Sequence, residues 1–418
     1  MKKSTETKLA QIMALASLNS PIYKQLYEGI APAASKLTDL PILSHRRLYE
    51  LVHHENAISF FAEGVLGGMI CQSSATTGSP KATIFGHDEW RQTVQLIALH
   101  HWKNGSLCDG DVVANLCVGG DASFMFVHGV IEQFPGTCTE LPLGCDHSFE
   151  YLYLSCKKFN VNVLAAVNST IIGLANYILS TSGAEPNIKR ILCGGELLYG
   201  AQLELIKSAF PMAEIIPFIF ATTEAGLIGL SEKGFPHNVF RVCEDACILE
   251  ILDPETWKPI EQQGVLGVAV VTSLLRTAAP AVRVDIGDRA QWLEPRDCEN
   301  GRKFSIHGRN YLKKYKLQEG LFLTEADVAS VIKLTESKLR FSMLQLQIKD
   351  GQLDFKVSLV NQPISNEQAL QVLIEALDNT APAISKSRYV ISVELVNLDF
   401  FELGIRRKAR LIRELRAC

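Results

Sequence analysis

The sequence carries little excess charge: 41 lysines and arginines against 45 aspartates and glutamates leave a formal net charge of −4. A surface built to hold nucleic acid or an anionic membrane needs a basic excess, so neither is expected as the main partner. No apolar run reaches the ~18 residues that a membrane span requires. Eleven cysteines are present, yet none forms a CxxC pair. The nearest spacing, Cys243 and Cys247, is half of a metal site without histidine or cysteine partners at zinc-like intervals. Scattered and odd in number, these cysteines read as reduced thiols in a cytoplasmic protein. Internal repeats and low-complexity tracts are also missing, which excludes a repeat architecture.

What is there describes a globular chain with an ample core. Its 418 residues are 47% hydrophobic and 21% charged, enough for one large domain and a smaller one. Met1-Lys2-Lys3 and the short apolar stretch Leu9–Ser17 have some look of a signal peptide. Gln11 and the amphipathic spacing instead predict a surface helix.

From about 86 to 220, helical and strand-like segments alternate: helices over 87–102, 122–134, 151–159, 171–179 and 201–210, strands over 111–117, 161–167, 188–193 and 213–218. Short connections between such segments mean parallel βαβ units, whose ligands gather beyond the carboxyl ends of the strands. From 239 to 307, strand-like pieces and turns predict an antiparallel, barrel-like subdomain. After Gly308-Arg309 a small α+β unit follows, with a helix capped by Thr324 and a hairpin at Asp350-Gly351.

The densest chemical signal is Ser73-Ser74-Ala75-Thr76-Thr77-Gly78-Ser79-Pro80-Lys81, five hydroxyls, a glycine and a lysine before a strand-like run. Short hydroxyls and exposed backbone N–H groups cradle anionic oxygens; Gly78 permits an unusual backbone and Lys81 adds a point charge. A solvated Ser/Thr loop is the alternative. Further along come Phe220-Ala221-Thr222-Thr223-Glu224, the stretch Pro280–Asp288 ending in a carboxylate beside Gly287, and a basic stretch, Gly404–Arg410.

With these motifs in this order, the chain resembles the adenylate-forming enzymes of the acyl-CoA synthetase superfamily, and within them the phenylacetate–CoA ligase-like branch. Ser20-Pro21-Ile22-Tyr23 and Leu37–Pro41 look like that branch's N-terminal signature, and 73–81 is similar to its phosphate loop. LCGGELL (192–198), the run of Glu244-Asp245, Glu250 and Asp253–Thr256, and the stretch from Thr272 to Asp288 resemble further segments of it.

The resemblance implies an α/β fold: a large N-terminal domain, 1–309, of βαβ units with a barrel-like β subdomain, holding ATP and the acid, plus a small mobile α+β C-terminal domain, 310–418. It implies that an organic carboxylic acid, aromatic or otherwise apolar, attacks the α-phosphate of ATP. Pyrophosphate leaves, and the acyl-adenylate passes to a thiol, that of coenzyme A first of all. A carrier-protein phosphopantetheine, a protein cysteine or an amine are alternative acceptors, and a non-catalytic adenylate-binding protein is an alternative of another class. A homodimer is the expected assembly.

On this resemblance Ser73, Ser74, Thr76, Thr77, Gly78 and Lys81 would hold the phosphates, and Thr223 with Glu224 would act in catalysis, Glu224 as a Mg²⁺ ligand. A helix N-terminal carboxylate is the plainer reading of Glu224. Gly195, Glu196, Phe220, Ala221 and Thr222 would line the nucleotide site, with helix capping the alternative for the Gly194–Glu196 segment. Asp288 would take the ribose hydroxyls, and Arg283 and Arg309 the nucleotide or the domain junction, with a surface ion pair the alternative for each arginine. Lys408 would be the mobile catalytic lysine. Candidates for the acid pocket are Phe124, Phe126, His128, Val167, Asn168 and residues 218–225, although His128, on an apolar stretch, also reads as a satisfied core histidine. The chain departs from the branch at Ala75, Phe220-Ala221, Val284, Ile286 and Asn310-Tyr311.

Overall fold

The computed structural model describes residues 3–32, 36–53, 61–64, 67–72, 82–196, 198–296, 301–310, 314–360, 362–401 and 411–416. The chain opens with helices α1 (Lys3–Asn19), α2 (Pro21–Leu26) and α3 (His45–His53). The amphipathic spacing of the first is borne out: Leu9, Ile12, Met13 and Ala16 form its buried face. Pro21 begins α2, where a missing N–H costs nothing.

Strands β1 (Met69–Gln72) and β2 (Ala82–Phe85) pair antiparallel. Helix α4 (His87–Lys103) follows, with Asp88 and Glu89 in its first turn and Lys103 in its last, a charge order that suits the helix dipole.

Alternation then sets in as β3 (Asp111–Asn115), α5 (Ala122–Glu132), β4 (Cys138–Pro142), α6 (Phe149–Lys158), β5 (Val163–Val167), α7 (Asn168–Thr181), β6 (Arg190–Gly194), α8 (Gly200–Ala209) and β7 (Glu214–Pro217). Strand β3 pairs with β4 in parallel, and β5 with β6. All five residues of β5 are buried, as expected for a parallel strand covered on both faces. Asp121 caps α5 by accepting from Ala122 N–H at 2.6 Å, and Ser148 caps α6 by accepting from Tyr151 N–H at 3.2 Å. Strand β4 was not expected; its Cys-Thr-Glu-Leu-Pro sequence lacks a β-branched run.

The antiparallel region is a seven-stranded sheet made of β8 (Ile219–Thr222), β9 (Gly226–Leu230), β10 (Val239–Val242), β11 (Cys247–Leu252), β12 (Leu266–Ser273), β13 (Val284–Trp292) and β14 (Lys303–Arg309). Its order is β11-β12-β13-β14-β10-β9-β8. It begins some twenty residues earlier than the sequence texture suggested, because the β8–β9 hairpin belongs to it. The sheet curls enough for Cys247 Sγ to donate to Ile228 O at 3.4 Å.

The remainder comprises β15 (Lys314–Gln318), β16 (Leu321–Thr324), α9 (Glu325–Thr335), β17 (Phe341–Lys349), β18 (Gln352–Leu359), α10 (Asn366–Thr380), α11 (Pro382–Ser385), β19 (Val390–Leu395) and β20 (Ile412–Glu414). Strands β17 and β18 form the expected hairpin about Asp350-Gly351, flanked in parallel by β20 and β19. Thr324 and Asp327 make a reciprocal capping box at α9.

Two compact units result, Met1–Asn115 with Gly119–Gly144 and Ile215–Tyr311, and Leu116–Val118 with Cys145–Glu214 and Leu312–Cys418. A core of α1, α2 and the curled sheet fills the first. Another, from Tyr315 to Ile412, fills the second. Within the second, Gln202 of α8 donates to Ser342 O at 2.9 Å and Arg340 meets Glu204 at 2.7 Å. No described helix is long and apolar enough to cross a membrane.

Candidate functional site

Glu224 lies in the turn of the β8–β9 hairpin, where Thr222 Oγ1 accepts from Ala225 N–H at 3.2 Å. It is only 4% exposed. No helix follows it, so the plainer reading as a helix N-terminal carboxylate is overturned; a three-residue turn between antiparallel strands holds it instead. Phe220 and Ala221 sit on β8 itself, with a register shift between them. One side of the Phe220 ring packs toward Phe240 and Phe304, at centroid distances of 5.5 and 5.9 Å. Phe220 is partly exposed.

Asp288 stands on β13 opposite Arg309 on β14. Their side chains meet at 3.3 Å, the carboxylate 9% and the guanidinium 45% exposed, and Arg309 also donates to Ile286 O at 3.1 Å. Gly287 explains why a glycine precedes this aspartate. Its φ is +78°, and a Cβ there would lie 2.5 Å from the His45 ring. Asp285, fully buried, accepts from Gly287 N–H at 2.9 Å and fixes the same turn.

The segment 273–288 joins these two places, and it is clamped along its length. Val282 N–H donates to Tyr23 Oη at 2.8 Å, and Tyr23 donates back to Val282 O at 3.1 Å. Burial pushes the Tyr23 phenol well above its usual range, with Tyr27 adding to the rise. Arg283 is 5% exposed and forks onto Glu250 at 3.0 and 2.9 Å, while its third nitrogen donates to Thr38 O and Leu40 O at 2.9 and 2.6 Å. It therefore takes neither a surface ion pair nor an exposed place beside a nucleotide. Its φ of +47° is a left-handed conformation costly for a side chain with a Cβ. The N-terminal signature and Glu250 thus acquire a physical role as a cage for this segment. The Asp253–Thr256 run is a turn in which Asp253 Oδ1 accepts from Glu255 N–H, Thr256 N–H and the Thr256 hydroxyl.

Two residues that the sequence reading passed over meet here, Arg276 and Glu89, each 1% exposed in its side chain, with Nε and Oε1 3.8 Å apart. The signal for Arg276 was its place inside the Thr272–Asp288 stretch; for Glu89 it was an acidic first turn. Glu89 Oε2 accepts from Thr277 N–H, the Thr277 hydroxyl and Ala278 N–H at 2.5, 3.0 and 2.9 Å.

In the other unit, Gly195 follows β6 with φ +81°. Glu196 beside it caps α7: its carboxylate accepts from Ser169 N–H at 3.0 Å, and its carbonyl from Asn168 Nδ2 at 2.6 Å. Helix capping is thus what Glu196 does in this structure. His128 is no core histidine: its Nδ1 meets Glu140 at 2.6 Å, and its side chain is 47% exposed. Ser73, Ser74, Thr76, Thr77, Gly78, Lys81, Tyr311 and Lys408 lie outside the described residues.

The donor set suits a hard cation carried by a nucleotide. Among the described residues no group of three or more His, Cys, Asp or Glu converges on one point. One carboxylate with nearby hydroxyls, completed by phosphate oxygens, is how magnesium is held in nucleotide sites. Burial pushes the Cys243 thiol up to about 11 and the Cys247 thiol well above its usual range.

The chain has the fold of the adenylate-forming enzymes. It superposes on 2-hydroxyisobutyryl-CoA ligase, in complex with an acyl-AMP, with a TM-score of 0.77 at 18% identity, covering 99% of this chain and 89% of that one. The AtGH3.15 acyl acid amido synthetase superposes with a TM-score of 0.69 at 11% identity, covering 98% and 90%. In sequence the chain is 25% identical to the indoleacetate–lysine synthetase of Pseudomonas savastanoi over 226 residues, 52% of each chain. The match thus spans about half the length of that relative. No model of a known protein family matches the chain.

Proposed function

We propose that this protein activates an organic carboxylic acid with ATP, forming an acyl-adenylate and pyrophosphate, and then passes the acyl group to a nucleophile. One observation carries the reading. The two carboxylates that the resemblance assigns to metal and ribose are both buried: Glu224 in a hairpin turn whose Gly226 lies against Arg276, and Asp288 at the far end of the clamped segment 273–288.

In this reading Glu224, with Thr223 beside it, would hold magnesium, which when bound would supply charge neutralisation for the leaving group. Ser73, Ser74, Thr76, Thr77, Gly78 and Lys81 hold the β- and γ-phosphates. Asp288 accepts from the ribose hydroxyls, and Arg309 orients that carboxylate. The Phe220 ring stacks on adenine beside Ala221 and Thr222. Lys408, in a C-terminal domain spanning 310–418, reaches the α-phosphate, where charge develops.

For the acceptor, coenzyme A is the first reading. A second is an amine, favoured by the relative named as an indoleacetate–lysine synthetase and by the amido synthetase neighbour. ATP–pyrophosphate exchange against pooled aromatic, aliphatic and amino acids, with Glu224→Ala as control, tests the first step. Acid-dependent exchange that the substitution abolishes supports adenylation; wild-type protein with no exchange in any pool counts against it. Mass analysis of products made with coenzyme A or with mixed amino acids then separates thioester from amide.

A further inference from the structure

Among the described residues Arg276 is the largest fully buried side chain, and two of its nitrogens have no hydrogen-bond partner there. Its Nη2 donates to the Thr83 hydroxyl and, at 2.8 Å, to Ile84 O, both on β2. The guanidinium lies 3.8 Å over the Phe85 ring. Among the described residues, Nε and Nη1 have no hydrogen-bond partner, and neither does Glu89 Oε1. For stability alone this is a poor arrangement. A buried ion pair with unmet donors is commonly matched or bettered by apolar side chains of equal volume. Its place in the fold supplies a different reason.

The Arg276 stem packs on the hairpin turn that carries Glu224: a Cβ on Gly226 would lie 3.3 Å from Arg276 Cδ. Gly226 has φ +76°, so the turn is shaped to admit that stem. One side chain thus ties together β2, the first turn of α4 through Glu89, and the Glu224 turn. Glu89 and Glu224 are both among the charges acting on its guanidinium.

We propose that Arg276, braced by Glu89, is a positioning residue that sets the place of Glu224 for magnesium-bound ATP. The proposal rests on the acid-activating reading above. Its consequence is specific: loss of the pair weakens binding of ATP with magnesium and leaves binding of ATP without it alone.

The test is equilibrium binding of ATP, with magnesium and with EDTA, to wild type and to the double variant Arg276→Met/Glu89→Gln. Removing both charges together spares the fold the cost of a lone buried charge. The expected result is a melting temperature near wild type, with ATP affinity about tenfold or more weaker in magnesium and within about twofold in EDTA, since a carboxylate ligand acts only through the metal. Equal affinities in magnesium, or an equal loss in both conditions, would overturn the proposal. Should the double variant not fold, Arg276→Lys, which keeps the charge but loses the fork, is measured instead under the same criteria. Wild type that binds no ATP at all sinks the functional reading itself, an outcome distinct from a folded variant that binds like wild type.

Discussion

The two arginines of segment 273–288 differ in how completely the fold answers them. Arg283 spends its fork on Glu250 and its remaining reach on two backbone carbonyls. Arg276 is more deeply buried, yet among the described residues two of its nitrogens have no hydrogen-bond partner. Satisfied buried charge is what a structural clamp needs, because each unmet donor costs stability. Unsatisfied buried charge kept beside a turn that bears a candidate catalytic carboxylate points to work other than holding the chain together. The contrast separates the arginine that the sequence singled out in this stretch from the one that it passed over.

The comparison breaks most readily at Arg283. Arg283→Met should destabilise the protein by about 3 kcal/mol, since Glu250, 11% exposed in its side chain, is left without its partner; urea unfolding of the variant measures this. A loss below about 1 kcal/mol, the range of surface pairs, would remove the clamp.

Next in size, Glu224→Ala should reduce acid-dependent pyrophosphate exchange by about a hundredfold, equivalent to about 2.7 kcal/mol of barrier, without lowering the melting temperature. A variant that melts early would instead mark Glu224 as part of the clamp.

Smaller still is a pH effect at His101, which stacks on Phe218 at 5.1 Å just before β8. Burial, with the neighbouring His100, lowers its pKa to about 3, so it is neutral in the folded protein. The unfolded chain takes up a proton below the ordinary histidine value, so this contribution is complete above about pH 6.5 and fades as pH falls toward 3. It should amount to about 2 kcal/mol lost by pH 5. Melting curves of wild type and His101→Gln between pH 7 and 5 should converge toward the acid end; parallel curves would contradict it.

The smallest effect is expected at a helix cap whose groups are all satisfied. Thr324→Ala should cost about 1 kcal/mol through loss of the α9 capping box, with exchange kinetics unaltered.

Much of this was legible before any coordinates. The alternation of helix and strand, the Asp350-Gly351 hairpin and the Thr324 cap follow from periodicity and turn chemistry, both local properties. The position of Glu224 was legible only in part. Its place after a strand was clear, but a hairpin turn and a helix start look alike when the next residues are Ala225-Gly226-Leu227. Strand β4 escaped because its stability comes from pairing with β3 rather than from its own residues.

The sequence by itself determined the fold class and the order of its chemical motifs, because patterning and short-range backbone preferences act within a few residues. Only the tertiary structure decided which charges are answered. Arg283 meets Glu250 and the Thr38 carbonyl across 33 and 245 residues of chain, and Arg276 meets Thr83 across 193. Desolvation and partnering are properties of the packed interior, and no spacing along the chain encodes them.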